Sequence, residues 1–328
     1  MRTHTHAPRR RGFTLIELMI VVSLLGIIGT MLTTLLVRQQ RFHRAVTGVT
    51  DARARMRDIA TILPTDLRSV STAGDDILDI SDTSIQFRAF IGTAVLCKWA
   101  TADAVTPAVI DLPPKILQSG NVLTSWINPP APDDIAYVYD DGTKAGNFDD
   151  TWVPVRISDT TSAANSTWCP STNSPQYARA ADDGAVRYRI TLATAPSQAR
   201  VSVGSPIRFA REVRYSIYEA SDSKWYVGFQ RCTPNATYGQ LGSCGTREVL
   251  AGPVLAGTAD TLTSGLFFVY YNKSGTRLTA LSATDTIARV SVGVRTTSES
   301  LLKATTKIGG SITGGDSIRF TVGIRNRI

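Results

Sequence analysis

The sequence predicts an α+β protein in which a long N-terminal helix packs on antiparallel β-sheet. Three patterns carry that expectation. Residues 13–37 are an unbroken apolar run with one charge, Glu17, long enough for about 37 Å of helix. Residues 38–63 then place apolar side chains at three- and four-residue steps, the mark of a helix with one buried face. Beyond residue 67, short segments alternate apolar and polar side chains between Gly-, Asn- and Asp-containing turns, as strands of a sheet with one wet face do.

The first twelve residues hold Arg2, Arg9, Arg10 and Arg11 and no acid. The apolar run after them exceeds the roughly 7–15 residues of a secretory signal core, and no small-residue cleavage site follows it. Its length suits a hydrocarbon layer about 30 Å thick. A plain membrane anchor accounts for all of it except Glu17. A carboxylate there costs roughly 2.5–3.5 kcal/mol on insertion scales, so such residues are usually paired or functional. One turn into the helix, Glu17 calls for a positive partner at a helix N-terminus. A chain cut just before Phe13 would present such an amine, and a neighbouring molecule displaced along the axis could offer it.

The stretch Arg10-Arg11-Gly12-Phe13-Thr14-Leu15-Ile16-Glu17-Leu18 resembles the cleavage and methylation motif of type IV prepilins and type II secretion pseudopilins. The resemblance implies that a prepilin peptidase cuts between Gly12 and Phe13 and that the new Phe13 amine is methylated. It also implies that Glu17 recruits the subunit into a filament by neutralising a neighbour's amine. Gly12, lacking a side chain, lets a protease approach the backbone closely. The implied layout is a cytoplasmic leader at 1–12, a transmembrane and assembly helix at 13–37, its amphipathic continuation at 38–66, and a β-rich periplasmic domain at 67–328. The implied location is the bacterial inner membrane and then a pilus filament or its tip. The implied partners are other major and minor pilins, prepilin peptidase, the inner-membrane pilus assembly platform and membrane lipid, with no cofactor.

Major pilins often carry a proline near the middle of this helix, and residues 13–63 contain none, which suits a low-copy subunit or a pseudopilin. The order REVLAGPV, LFFVYYNKSG, ARVSVGVRTTS from residue 247 onward is similar to the C-terminal sheet of PilW-like minor pilins and GspJ-like pseudopilins. The function implied is that of a structural minor pilin in pilus assembly initiation or the tip complex. A type II secretion pseudopilin and a tip adhesin or DNA-uptake pilin that binds a surface ligand or DNA stand as alternatives.

In the amphipathic stretch, Phe42, Val46, Val49, Met56, Ile59 and Leu63 share a face, while Arg38, Arg41, Arg44, Arg53, Arg55, Arg57 and Asp58 fill much of the rest. The charged side reads as a solvated face or as a contact for subunits or lipid headgroups. Pro64 marks an end or a kink. Strands are expected at Ser84–Phe90, Ala185–Leu192, Val213–Tyr218, Trp225–Gln230, Leu266–Tyr271, Ala288–Arg295 and Ser317–Arg325. Residues 100–180, crowded with nine prolines, read as an irregular insertion with short strands.

Candidate chemistry is sparse. The three histidines are His4, His6 and His43, none in the β-rich part, which excludes a Ser-His-Asp or Cys-His site there and points away from an enzyme. The acidic pairs of the Asp140–Asp150 stretch, Asp140, Asp141, Asp149 and Asp150, offer oxygen ligands for calcium, but they do not follow a calcium-loop spacing and Asp-Gly is also a hairpin turn signal. Four of the five tryptophans, Trp99, Trp126, Trp152 and Trp168, lie in or beside the insertion, as ligand contacts or as packing for a loop-rich region. Four cysteines allow three disulfide connectivities. The short loop between Cys232 and Cys244 favours that pair and leaves Cys97 with Cys169; free buried thiols are the alternative. The formal net charge of +8 falls to +4 without the four leader arginines, a weak basis for nucleic-acid binding.

Overall fold

The computed structural model describes residues 14–70, 76–126, 128–144, 146, 149–172, 175–237, 239–280, 287–296 and 317–324. The chain divides into two compact units, residues 1–53 with 298–314, and residues 54–297 with 315–328.

Helix α1 runs Leu15–Ser69. In the first unit every described side chain of residues 14–44 is exposed, and Leu15–Arg44 is long and apolar enough to cross a membrane. The few polar side chains in this stretch return their hydroxyls to the helix. Ser23 bonds Met19 O, Thr30 bonds Ile27 O, Thr33 bonds Gly29 O and Thr34 bonds Met31 O, at 2.6–2.8 Å. Each hydroxyl donor is thereby satisfied without water. Of the expected amphipathic face, Phe42 and Val46 remain exposed.

In the second unit α1 becomes a core element. Met56, Ile59, Leu63 and Leu67 are buried at three- and four-residue steps, one stripe of a helix. Of the two readings of Pro64, an end does not occur: the helix continues to Ser69 with Pro64 inside it. Pro64 forfeits one backbone hydrogen bond, and burial of Leu63 and Leu67 on either side offsets that loss. Asp66 anchors the last turn by accepting the Tyr215 hydroxyl at 2.5 Å. Burial raises the Asp66 carboxyl above the ordinary carboxylate range, and the Tyr215 bond pulls it back only in part.

The strands are β1 Ile77–Ile80, β2 Ser84–Val95, β3 Lys98–Trp99, β4 Ala108–Leu112, β5 Ser125–Trp126, β6 Ile135–Asp140, β7 Thr151–Ala163, β8 Arg187–Leu192, β9 Pro206–Glu219, β10 Trp225–Thr233, β11 Ser243–Cys244, β12 Glu248–Val254, β13 Leu266–Asn272, β14 Arg277–Leu278, β15 Ile287–Arg295 and β16 Ser317–Gly323. A 3-10 turn occupies Ala180–Asp182. All described pairings are antiparallel, forming a 12-stranded sheet and a 4-stranded sheet of order β14-β13-β15-β16. The α+β class is therefore the observed one.

Strand β9 is the axis of the large sheet. Along one edge it pairs with β2, Val95 to Ser84 against Pro206 to Ser216. Its other edge is divided: Ile207–Ala210 pairs with β6 and Val213–Glu219 with β10. Two cores follow from this fork. The first gathers the α1 stripe with Ile85, Phe87, Val213, Tyr215 and Val227 of the large sheet and Phe268, Val290 and Val292 of the small one. The second gathers Ala94, Leu96, Ile110, Leu112, Val138, Ile157, Ile190, Leu192, Ile207 and Phe209.

The short strands expected in residues 100–180 are present, and the second core corrects the irregular part of that reading. That segment carries β4, β5, β6 and the 13-residue β7. Its prolines mostly bound strands: Pro107 precedes β4, Pro113 and Pro114 follow it, and Pro129, Pro130 and Pro132 precede β6. Pro154 lies within β7 where that strand pairs with β6 alone, an edge that tolerates a missing N–H. The excursion between β2 and β9 is also longer than expected, since Leu96 N donates to Ser205 O at 2.9 Å and Gly204 N to Leu96 O at 2.8 Å. Disulfides join Cys97 to Cys169 and Cys232 to Cys244.

Leu63→Ala is expected to destabilise the folded protein by roughly 2–5 kcal/mol, and Phe42→Ala by less than about 0.5 kcal/mol, in urea unfolding of detergent-solubilised protein. Because the folded pKa of Asp66 is raised, its contribution is fully present below the unfolded carboxyl pKa and is lost as pH rises through the folded value. Asp66→Asn should therefore gain stability relative to wild type from pH 4 to pH 7, read as the difference between the two urea midpoints.

Candidate functional site

The N-terminal motif meets the described structure at the first turn of α1. Gly12 and Phe13 lie outside the described residues. Thr14 caps the helix and Glu17 answers it: Thr14 N donates to Glu17 Oε2 at 3.0 Å, Thr14 Oγ1 donates to the same oxygen at 3.1 Å, and Glu17 N donates to Thr14 Oγ1 at 3.3 Å. This is a reciprocal capping box of the Thr-x-x-Glu form. The Thr-x-x-Glu spacing is the sequence signal of this box. Both residues are exposed, so the Glu17 carboxylate orders the helix start and stays open on its outer side.

Two buried polar clusters sit where β6 and β10 part from β9. Adjacent strand residues point to opposite faces, so Arg211 and Glu212 serve one cluster each. On the first face Asp134 has no exposed surface and accepts Arg211 Nε at 2.8 Å, Arg211 Nη2 at 2.7 Å, Arg231 Nη2 at 3.0 Å and Ala131 N at 2.8 Å. The Asp134 hydrogen bonds push the Arg211 guanidinium above its ordinary range, against the effect of burial. On the second face Glu212, equally buried, accepts Gln86 Nε2 at 2.6 Å and Gly242 N at 3.0 Å, with Arg88 Nε 4.0 Å from its other oxygen. The loop closed by Cys232 and Cys244 thus covers this carboxylate. Gly242 permits the approach, because a Cβ there would run into Thr233 O and Glu212 Oε1. Sequence reasoning found neither cluster, since their members are up to 156 residues apart.

The acidic stretch is occupied by the protein's own donors. Asp140 is buried, holds Arg200 at 3.3 Å and accepts Gly142 N at 3.0 Å. Asp149 caps the turn by accepting Thr143 N at 2.8 Å and Lys144 N at 3.2 Å, and the Thr143 bond leads in holding its carboxyl below the usual range. Asp150 accepts the Tyr139 hydroxyl and thereby pushes that phenol up to about 12. Asp141 is the exposed member. Among the described residues, no group of three or more His, Cys, Asp or Glu is placed to hold a metal.

The tryptophans pack. Trp126 is buried edge-on against Tyr188 and Phe209, Trp99 Nε1 donates to Val201 O at 3.1 Å, Trp152 stacks edge-on with Tyr139 beneath Arg208, and Trp168 lies under Arg189.

Comparison with known proteins adds one finding. Residues 7–33 match the family described as the prokaryotic N-terminal methylation motif, the signal of type IV pilin-like prepilins. Neither a curated protein nor a solved structure matches the chain. The chain therefore carries a prepilin-type signal on a helix suited to membrane anchoring, which supports a pilin or pseudopilin-like role.

Asp134→Asn is expected to cost about 2 kcal/mol or more in chemical denaturation, since it leaves two part-buried guanidinium groups without their charge partner. Added calcium is expected to leave the wild-type unfolding midpoint unchanged.

Proposed function

We propose that this chain is a structural minor pilin of a type IV pilus, PilW-like, cut by prepilin peptidase between Gly12 and Phe13 and methylated on the new Phe13 amine. The match of residues 7–33 to the methylation motif carries the reading. The long exposed apolar helix that follows supports storage in the inner membrane and packing against other pilin helices in a filament. The β-rich unit then faces the periplasm and takes part in assembly initiation or the tip complex. Its role is architectural: the buried carboxylates Asp134 and Glu212 are tied to arginines and backbone amides, an arrangement that holds strands together.

The capping box supports the role given to Glu17. Its carboxylate is already held at a helix N-terminus, and an exposed oxygen there can take a second, charged donor from a neighbouring subunit. A type II secretion pseudopilin shares the motif and the helix, and deletion separates the two readings: loss of pili with secretion intact supports the minor pilin, and loss of secretion with pili intact supports the pseudopilin.

Intact-mass measurement of protein purified from its native membrane should give a chain beginning at Phe13 and about 14 Da heavier than its unmodified form. A chain still beginning at Met1 overturns the reading. Glu17→Ala should insert and be cleaved normally, yet be depleted in sheared filaments at least severalfold relative to wild type by quantitative immunoblot.

A further inference from the structure

Immediately beyond its apolar stretch, α1 carries a cationic collar. Arg38, Arg41 and Arg44 are its only charges between Glu17 and Asp51. Among the described residues, none of the three meets a carboxylate, and residues 38–44 are exposed throughout. Successive three-residue steps confine the guanidinium stems to about 120° of the helix circumference. Phe42, the sole Phe, Tyr or Trp between Thr14 and Arg53, is 68% exposed and lies about 40° from Arg38 around the axis. Leu35, Arg38, Gln39, Phe42 and His43 line one shallow concavity on the helix surface.

We propose that Arg38, Arg41 and Arg44 form a headgroup site for anionic phospholipid, with Phe42 set among the same headgroups. The site rests on the membrane-anchoring reading. Leu15 to Val37 spans about 35 Å, so a helix crossing a core about 30 Å thick delivers Arg38 to headgroup depth. Guanidinium is the cation whose planar fork matches phosphate oxygens in pairs, and long stems let it reach the headgroups while their methylenes stay against apolar surface. An aromatic ring at this depth belongs to the interfacial belt. The uninterrupted positive charge fits an anionic headgroup and gives no preference for a zwitterionic one.

The test places the photocrosslinker p-benzoylphenylalanine at Gln39 of the full chain, in bilayers with equal phosphatidylglycerol and phosphatidylcholine, and counts lipid adducts by mass spectrometry. This reads the collar alone, away from the basic leader. Phosphatidylglycerol adducts should exceed phosphatidylcholine adducts about fivefold or more. The preference should fall with added salt, vanish in the Arg38→Gln, Arg41→Gln, Arg44→Gln variant and survive in the corresponding triple Lys variant. Equal adducts in the wild type, or an undiminished preference in the Gln variant, overturn the site. Wild-type protein that alkaline carbonate strips from the bilayer overturns the anchoring itself, and the site with it.

Discussion

One strand edge has to serve two partners. β9 gives its first residues to β6 and its last to β10, and between Ala210 and Val213 the two neighbours separate. A parting of strands leaves polar groups facing a gap where water is scarce, and such groups are costly without partners. Arg211 and Glu212 occupy that position and each is met by a partner. Asp134, from the turn that leads into β6, binds Arg211 on β9 and Arg231 on β10, so all three diverging strands share one carboxylate. On the other face Glu212 collects Gln86 from β2 and Gly242 from the cystine-closed loop. Buried pairs of this kind are weak as sources of stability but effective at fixing register. Both cores are built outward from this point, the helix-covered one beyond Val213 and the second one before Phe209.

The two halves of α1 answer different surroundings with the same backbone. From Leu18 to Val37 apolar side chains occupy all sides and hydroxyls fold back on the carbonyls, so nothing on that stretch needs water. From Met56 the buried apolar positions narrow to a stripe and the remaining faces are mostly polar, with Ile62 the exposed apolar exception. The sequence shows both regimes, because each is a local periodicity. The strands are equally visible where one face is buried and the other wet, as in SIRFTVG of β16.

What escaped the sequence is non-local. Prolines were read as signs of irregularity across residues 100–180, whereas most of them stand at the ends of strands that pair with partners as distant as β9. Pro64 reads as an end or a kink, but the helix runs on past it to Ser69, with a buried leucine on each side to offset one lost hydrogen bond. Asp134 and Glu212 carry no local mark of burial at all. Their surroundings exist only after strands far apart in sequence are aligned. Of the motif residues, Glu17 stood out because its cost in an apolar run is a property of the sequence itself. Thr14 did not, because its value lies in a bond made only once the helix starts.

The hydrogen bonds between Leu96 and the Gly204–Ser205 turn of chain have a consequence for how such a protein can change. The chain leaves the β2–β9 pair at Leu96 and returns to it at Ser205 within bonding distance, so everything between is topologically an insertion in a hairpin. It has its own disulfide from Cys97 to Cys169 and shares the second core with Ala94, Leu96, Ile207 and Phe209 of the flanking chain. Its outer strands β3, β4, β7 and β8 could be lengthened or replaced without changing the β1-β2-β9 order, whereas loss of the turn before β6 would strip Arg211 and Arg231 of Asp134. Change in those outer strands is thus uncoupled from the Met56–Leu67 stripe that the first core needs.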